Sequence, residues 1–360
     1  MSFSEMTLLT TLSLLTTIIL QLPTGAFADV VGRRVSCIVG STIVIGAYIV
    51  LGLSSDKYYF FFGSILNGVG TAFISGANVS LLYDTLKELG IQDQFGRIRS
   101  NAVVGLQVAI IISSIAGGYM YGFFASLPYF AVAGSYVLVT MFYFMFVEPK
   151  IDSQKYSVHA YFNKIKEGFG QIFKTDYSRR LGVFYIVVGG IATTFQFSFN
   201  QIYAAALGYS EVDRGWLFAI IRFVNAFIII KLFKVDKFFL KSRPMLRFSI
   251  FVVIALIAGA IDIKSIGTII LFASTLMMTL RLIIFDKLVN DVFESSSRAT
   301  ALSALSMLMS GFQMILLMIG GLIFDHYFPG IVYTGIGIFV LIFVLPFVWN
   351  VRSKQNVQPA

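Results

Sequence analysis

The chain has 360 residues, of which 57% are hydrophobic and only 12% are charged, whereas ordinary soluble domains contain about 45–50% apolar and about 25% charged residues. Its net charge is +9, but the basic residues form short clusters between long uncharged runs, not the basic patch that nucleic-acid binding requires. One cysteine and two histidines exclude a disulfide framework and a cysteine or histidine metal cluster. The composition indicates a polytopic membrane protein surrounded by lipid, with no nucleic-acid partner, metal or cofactor.

Eleven apolar runs approach the roughly 20 residues that a helix needs to cross a bilayer core about 30 Å thick. In chain order they cover 6–28, 35–53, 59–83, 101–124, 128–147, 181–205, 215–233, 246–262, 266–285, 299–323 and 331–350. The sequence therefore predicts an all-α membrane bundle of about eleven transmembrane helices. Because this number is odd, the two ends of the chain are expected on opposite sides of the membrane.

The lysines and arginines between the spans predict the orientation of the chain. One alternating set of connections holds nearly all of them, and the other set holds only Lys57, Arg214 and Lys264. Since cytoplasmic loops carry an excess of Lys and Arg, the cation-rich set is expected in the cytoplasm. The N-terminus is then outside and the C-terminus inside, in what we expect to be a bacterial plasma membrane.

The longest polar stretch, 149–180, divides the chain into a first half, 1–148, with five spans and a second half, 181–360, with six. Apolar residues recur within this stretch at helical spacing beside several lysines, which is typical of a basic amphipathic helix on the inner leaflet. These apolar residues are Phe162, Ile165, Phe169, Ile172 and Phe173. A plain cytoplasmic linker is an equally good interpretation, because short patterns of this kind also arise by chance.

The two halves resemble each other at an offset of about 200 residues, which is typical of transporters built from parallel repeats. Residues 80–86 match 282–288, and the pair Gly117-Gly118 matches Gly320-Gly321. The counterpart of the sixth span would then lie upstream of Met1. The chain is therefore expected to be a twelve-helix protein without its first helix, either through truncation or as a natural eleven-helix variant.

The end of the first span and the residues after it read PTGAFADVVGRR over residues 23–34. It resembles the G-x-x-x-D-x-x-G-R-R/K signature of the major facilitator superfamily, which lies in the loop between that family's helices 2 and 3. Residues 75–84 and 298–300 extend the resemblance, which together with the span pattern covers essentially the whole chain. The resemblance implies two pseudo-symmetric helical bundles, with family helices 2–6 in the first half and 7–12 in the second. It also implies a central cavity that opens to each side of the membrane in turn.

Two glycines of this motif have expected structural roles. Because glycine has no Cβ, we expect Gly25 to let a neighbouring helix approach closely and Gly32 to permit a tight turn. The first span itself is expected to end near residue 28.

Asp29 would lie at the cytoplasmic membrane edge, where an unpaired charge is costly. Its expected partner is the positive N-terminal end of the tenth span, with residues 295–297 as candidate caps. Arg33 is expected to bridge Asp29 to Asp84. In the family that the chain resembles, this cluster latches the two halves while the cytoplasmic gate is closed. The alternative is that Arg33 and Arg34 are ordinary cytoplasmic anchors.

Two arginines fall inside predicted spans, where a charge is costly and usually faces a cavity or a partner. Arg222 lies near the middle of its span, and Arg281 lies closer to the cytoplasmic end of its own. Both are candidates for binding an anionic substrate group, because a guanidinium offers paired donors to carboxylate or phosphate. For Arg281 the alternative is snorkelling to the interface. The family resemblance places Arg281 on a cavity-lining helix and Arg222 on a flanking one.

Neutral polar residues within the spans are further candidates for the substrate cavity. Gln196 and Asn200 are expected to share one face of the sixth span, with Thr193 one turn earlier. Asn78 is a candidate in the first half. Interhelical hydrogen bonding is an equally good interpretation of each of these residues.

The expected function is secondary transport of a small molecule by alternating access, with multidrug or metabolite efflux favoured because export is frequent in the family. Organic-anion uptake, motivated by Arg222 and Arg281, and a truncated protein that does not transport are the alternatives. Coupling to protons is left open, although related sequences often carry acidic residues where this chain has Gln21 and Asn78. We expect a monomer, and no enzymatic activity, since no cluster of nucleophile, base and metal ligands is visible in the sequence.

Overall fold

A computed structural model of the chain describes residues 1–149, 169–228, 243–293 and 295–349, without the side chains of 283, 286–287, 290–291 and 295–300. Within these ranges the residues form helices joined by short connections, and no strand occurs among them. The helices are α1 (Phe3–Val31), α2 (Arg33–Leu53), α3 (Lys57–Glu88), α4 (Phe95–Phe123), α5 (Leu127–Met145), α6 (Asp176–Ala206), α7 (Glu211–Phe227), α8 (Pro244–Leu256), α9 (Lys264–Val292), α10 (Ser295–Phe324) and α11 (Gly330–Val348). The all-α class predicted from the sequence is confirmed.

Nine helices in the described part of the chain are long and apolar enough to cross a membrane. The predicted spans 215–233 and 246–262 coincide with the two others, α7 with 17 residues and α8 with 13. α7 borders the range 229–242, which lies outside the described residues. Spans at these two positions therefore stay predictions.

Several helices extend beyond the predicted spans at the end expected in the cytoplasm. α3 continues to Glu88 although its apolar run ends at residue 83, and α9 continues to Val292 although its run ends at residue 285. Hydropathy marks only where the apolar stretch ends, whereas the backbone hydrogen bonds of a helix do not require apolar side chains. Boundaries read from hydropathy are therefore too short at these ends.

A single residue joins α1 to α2. α1 continues through Pro23 to Val31 and α2 begins at Arg33, so the expected end of the first span near residue 28 is wrong. Gly32 between them has a φ of 125°, a backbone conformation that residues with a Cβ rarely adopt. The tight turn expected at Gly32 is present, and it replaces a longer loop.

The chain divides into two compact units, one made of Met1 with Leu8–Phe162 and the other of Ser2–Thr7 with Asn163–Ala360. The predicted linker, 149–180, falls largely outside the described residues, and so does most of its expected amphipathic helix. Residues 169–173 are described and helical, and Ile172 is buried against Gly182 of α6. The predicted division into halves and linker therefore stays a prediction.

In the first unit, α2 packs most extensively against α3 and α5. A Cβ at Gly40 of α2 would lie 2.7 Å from the carbonyl oxygen of Gly70 in α3, and the reverse distance is also 2.7 Å. Nearby, the hydroxyl of Ser36 donates a hydrogen bond of 2.9 Å to the carbonyl oxygen of Phe73. Close approach of small residues and interhelical hydrogen bonds are the forces that hold helices together in lipid.

In the second unit, α6 is the central helix and packs against α9 and α10. The buried rings of Phe184 in α6, Phe248 in α8 and Phe285 in α9 form an aromatic cluster, with centroids 5.3 to 6.2 Å apart. Aromatic pairs at these distances contribute about 0.5–1.5 kcal/mol beyond area burial. This packing fixes α6, which carries the polar residues described below.

Candidate functional site

Arg33, the first residue of α2, is at the centre of the gating motif. Its guanidinium forms an ion pair with Asp84 in the last part of α3 and lies 3.7 Å from the carboxylate of Asp29 in α1. It also donates a hydrogen bond of 3.3 Å to the carbonyl oxygen of Ser80. The bridge between Asp29 and Asp84 expected from the sequence is therefore present. The side chains of 295–297, the expected partner of Asp29, lie outside the described part of the chain, so that pairing stays a prediction.

Glu148 belongs to the same cluster, although it was not predicted from the sequence. Its carboxylate accepts hydrogen bonds from the backbone N–H groups of Arg33, at 2.6 Å, and Arg34, at 2.8 Å. The first N–H groups of a helix have no intrahelical partner, and the helix dipole favours an anion there. Glu148 therefore caps the start of α2. Its sequence signal is an acidic residue shortly after the fifth span, directly before Pro149.

The two motif glycines differ in their surroundings. A Cβ at Gly32 would lie 2.9 Å from the Oε2 atom of Glu148, so the absence of a side chain there lets the carboxylate approach. A Cβ at Gly25 would have no described atom within 4 Å. Close approach of a neighbouring helix at Gly25 therefore stays a prediction.

Arg34 contacts a different helix end from Arg33. Its Nε donates to the carbonyl oxygen of Tyr143 at 3.0 Å, and its Nη2 donates to that of Phe144 at 2.8 Å. These carbonyls lie in the last turn of α5, where a cation complements the helix dipole. Arg34 therefore caps α5, a contact that fits the anchoring interpretation of this residue.

The motif surrounds a small cavity of about 220 Å³. Its walls include Asp29, Gly32, Arg33, Asp84 and Glu148. Ligand pockets usually measure about 300–1,000 Å³ and are mostly apolar, whereas this cavity is smaller and carries three carboxylates. Its size and charge suit hydrated ionic contacts between helix ends better than the binding of an organic substrate.

A second polar cluster lies in the second unit, where a π turn at Phe195–Phe199 interrupts α6. In the amide orientation that gives both polar atoms suitable partners, the oxygen of Gln196 accepts a hydrogen bond of 2.7 Å from Nη1 of Arg222 in α7 and another from Nη2. The side chain of Asn200 instead contacts α9 and α11. Gln196 and Asn200, expected to share one face, therefore bind partners on different helices, and the π turn with its i→i+5 hydrogen bonds ends directly before Asn200.

Asn200 has hydrogen-bond partners for both of its amide atoms. Its Oδ1 accepts from the hydroxyls of Ser274 and Tyr333, both at 2.9 Å, and its Nδ2 donates to Thr275 at 3.4 Å. Asn200, Ser274, Thr275 and Tyr333 are all buried. This closed network joins three helices, which favours interhelical hydrogen bonding as the role of Asn200.

Arg222 and Asn225, by contrast, carry unsatisfied polar atoms. The Nε of Arg222 and both amide atoms of Asn225 are buried and have no hydrogen-bond partner within the described part of the chain. Asn225, which was not predicted as a site residue, is 1% exposed. Positions three residues apart are neighbours on a helix surface, so Asn225 lies beside Arg222 on α7. Unpartnered buried groups of this kind are rare in proteins.

Arg281 is enclosed by sulfur atoms and aromatic rings. Its side chain is 5% exposed, and its Nη2 lies 2.9 Å from the sulfur of Met309. The guanidinium carbon lies 5.6 Å from the ring centroid of Tyr185 and 5.4 Å from that of Phe285. Such cation–π contacts stabilise a desolvated arginine. The burial of Arg281 speaks against snorkelling to the membrane interface.

Among the described residues, the two remaining candidates join neither cluster. The hydroxyl of Thr193 donates to the carbonyl oxygens of Gly189, at 2.9 Å, and Gly190, at 3.0 Å, within its own helix. Asn78 is exposed on α3 of the first unit. For both residues a role at the substrate cavity stays a prediction.

Two comparisons of the sequence identify relatives of the chain. The model of the Major Facilitator Superfamily matches residues 1–285. The uncharacterized MFS-type transporter YxaM of Bacillus subtilis (strain 168) is 24% identical over 212 residues, which are 56% of this chain and 51% of that protein. The match thus spans about half the length of the curated relative.

Solved structures share the fold of this chain. The nucleoside transporter NupG aligns with a TM-score of 0.72 and 13% identity over 98% of this chain and 91% of its own. A D-xylose-proton symporter aligns with a TM-score of 0.70 and 15% identity over 96% of this chain and 88% of its own. At these identities the likeness concerns the fold alone. With the family model matching residues 1–285, the chain belongs to the major facilitator superfamily and is an integral membrane protein.

Proposed function

We propose that the protein is a secondary transporter that moves a small molecule across the membrane by alternating access. The observation that carries this proposal is the position of Arg33, which contacts both Asp29 and Asp84 while Glu148 caps its helix. Charged groups at helix ends suit a gate, because a rigid-body movement exchanges one set of ionic partners for another. We therefore assign the motif a gating role.

Both carboxylates that Arg33 contacts belong to the motif, Asp84 directly and Asp29 at 3.7 Å. The pairing of Asp29 with the N-terminal end of the tenth predicted span, where the helix dipole favours an anion, stays a prediction.

The further terms of the proposal follow from the family. Efflux is the proposed direction because export is frequent among its members. The halves 1–148 and 181–360 would rock about the membrane midplane, with 149–180 as the linker, in a monomer in a bacterial plasma membrane. Proton movement that depends on substrate, measured in vesicles, would show whether transport is coupled.

The test uses Asp29→Asn, which removes the charge and keeps the size of the side chain. A thermal-stability screen first identifies a transported ligand, because a ligand that binds the folded state raises its apparent stability. We expect Asp29→Asn to insert at the wild-type level and to lose transport of that ligand in vesicles. Asp56→Asn, at the start of α3, is the matched control and should transport normally. Wild-type transport by Asp29→Asn would refute the gating role.

Organic-anion uptake is the second candidate, and the observation that favours it is Arg222, whose Nε is buried and has no hydrogen-bond partner among the described residues. A guanidinium favours anionic ligands over neutral ones. A transporter that exports chemically mixed drugs does not need this selectivity, whereas a transporter of organic anions does. A protein that does not transport is the third alternative. Under this alternative, ligands stabilise the wild-type protein, but the protein does not move them across the membrane of vesicles.

A further inference from the structure

The polar cluster around Arg222 holds a positive charge that no carboxylate of the described residues neutralises. Arg222 lies eleven residues after Glu211, or about 16 Å along α7 at 1.5 Å per residue, so it is deep in the span. Its hydrogen-bond partner is the neutral amide of Gln196. In the described part of the chain no carboxylate contacts its guanidinium. A charge in this position usually faces a cavity or a partner.

Asn225 is a second, independent observation at the same place. It is 1% exposed, and the described residues offer a partner to neither its Nδ2 nor its Oδ1. A buried amide with two unsatisfied atoms destabilises the empty protein, so its presence requires an explanation. An anionic oxygen of a ligand can accept from the nitrogen, and a separate N–H or O–H of the same ligand can donate to the oxygen.

We infer that Gln196, Arg222 and Asn225 form a subsite for the anionic oxygen group, a carboxylate or a phosphate, of the molecule that the protein transports. Gln196 orients the guanidinium without neutralising it. The free Nε of Arg222 and the Nδ2 of Asn225 supply donors to the anion. This inference rests on the proposed transport function and names the substrate class as a small organic anion.

The test compares each anion with its neutral counterpart. Purified protein in phosphatidylcholine nanodiscs is titrated with benzoate or benzamide, and with uridine 5′-monophosphate or uridine, while thermal stability is measured. We expect the wild type to prefer at least one anion. Arg222→Gln should weaken that anion by about 10- to 100-fold, the range of one or two lost charge-assisted hydrogen bonds. No preference in the wild type, or an unchanged preference in Arg222→Gln, overturns the subsite.

Arg214→Gln is the matched control for this experiment. Arg214 lies on the same helix but pairs with Glu211 at 3.1 Å near the end of the span. The Arg214→Gln variant should bind the anions as the wild type does. An equal loss in Arg214→Gln and Arg222→Gln would point to a general charge effect and overturn the subsite.

Gln196→Glu keeps the fold and removes the free charge. The new carboxylate accepts the same two hydrogen bonds from Arg222, so the variant should stay folded and keep the contact between α6 and α7. Gln196→Glu should also weaken the preferred anion about as much as Arg222→Gln does, because the new carboxylate pairs with the guanidinium and neutralises its charge. An anion affinity that stays at the wild-type level overturns the inference.

Asn225→Leu distinguishes a binding role from a structural one. Leucine has a similar size and no polar atoms, so the empty variant should be more stable than the wild type. Its affinity for the preferred anion should nevertheless fall about 10-fold, as expected for one lost hydrogen bond to a charged group. A less stable variant with normal affinity would show that Asn225 serves packing only and would overturn its place in the subsite.

Two further arms identify the source of the anion and separate this inference from the proposed function. Phosphatidylglycerol added to the nanodiscs should give no shift that depends on Arg222; a shift with this lipid in place of the soluble anions overturns the substrate subsite. Anion binding without flux in vesicles supports the subsite and refutes transport. Flux of benzoate and benzamide at equal rates in both wild type and Arg222→Gln supports transport and overturns the subsite.

Discussion

At Gly32 the backbone, not a side chain, determines the geometry of the gating motif. Its φ of 125° makes the one-residue turn from α1 to α2, and this turn brings the N–H groups of Arg33 and Arg34 to the carboxylate of Glu148. The same residue lets that carboxylate approach to a distance at which a Cβ would collide. Glycine therefore serves both the turn and the cap.

Gly32→Ala is expected to destabilise the protein. A non-glycine residue at such a φ costs about 1–3 kcal/mol, and the new Cβ would displace Glu148 from the start of α2. The apparent melting temperature in detergent should fall. Gly25→Ala, where the described surroundings leave open space, is the control and should melt like the wild type. Equal melting of both variants would contradict this account of Gly32.

Motif residues that lie close together in the sequence can be predicted from it, whereas a partner far along the chain cannot. Asp29 and Arg33 were predicted because they are four residues apart within one motif, and Asp84 because it ends an adjacent span. Glu148 was missed because it contacts Arg33 from 115 residues away. No local pattern shows which acidic residue near a membrane edge reaches a particular helix start.

Among the helices, α6 shows how a local irregularity redirects side chains. The π turn at Phe195–Phe199 changes the spacing between Gln196 and Asn200. One residue consequently binds Arg222 in α7, and the other joins the buried network with Ser274 and Tyr333. The periodicity that predicts a regular helix cannot indicate such a turn.

Asn200→Leu should destabilise the second unit. The substitution leaves the buried hydroxyl of Tyr333 without its acceptor, which costs about 1–3 kcal/mol, whereas Ser274 can still donate to the carbonyl oxygen of Leu271 at 3.0 Å. Tyr333→Phe removes one donor and keeps the ring, so it should cost only about 0.5–1.5 kcal/mol. Thermal unfolding in detergent measures both. A larger loss for Tyr333→Phe than for Asn200→Leu would contradict the assignment of Asn200 as the shared acceptor.

The start of α1 depends on a carboxylate from the turn after α10. The backbone N–H of Phe3 donates to Asp325 at 2.6 Å, and that of Ser4 donates at 3.3 Å. Hydrogen bonds from the Ser4 side chain first, and then from these N–H groups, lower the pKa of Asp325. These bonds favour the charged carboxylate, so the stabilisation is complete above the usual aspartate pKa of about 3.9 and is lost as the pH falls through the lowered value.

Asp325→Asn should therefore be less stable than the wild type by an amount that does not change with pH near neutrality. The difference should shrink only in acid, below the usual pKa of an aspartate, where the wild-type carboxyl also becomes protonated. Thermal unfolding in detergent over a series of pH values tests this. A stability gap that already closes near neutral pH would contradict the lowered pKa.

For the whole molecule, the distribution of cations predicts the orientation in the membrane. Ser55 lies in the connection between α2 and α3, expected outside, and Asp93 lies in the connection between α3 and α4, expected in the cytoplasm; both are exposed. A membrane-impermeant thiol reagent should label Ser55→Cys in intact cells and Asp93→Cys only after permeabilisation. The native Cys37 is fully buried and should give little background. The reverse labelling pattern would invert the predicted topology.

The sequence by itself determined the membrane environment, the all-α class and the gating motif. These properties depend on the lengths of apolar runs and on residue spacings within one segment, so they are readable along the chain. Only the tertiary structure decided that Glu148 caps α2, that Asn200 is satisfied by its neighbours, and that Asn225 is not. Whether a buried polar atom has a partner depends on helices distant in sequence and on irregular turns such as that in α6, because hydrogen bonds require specific distances and directions that composition and periodicity do not encode.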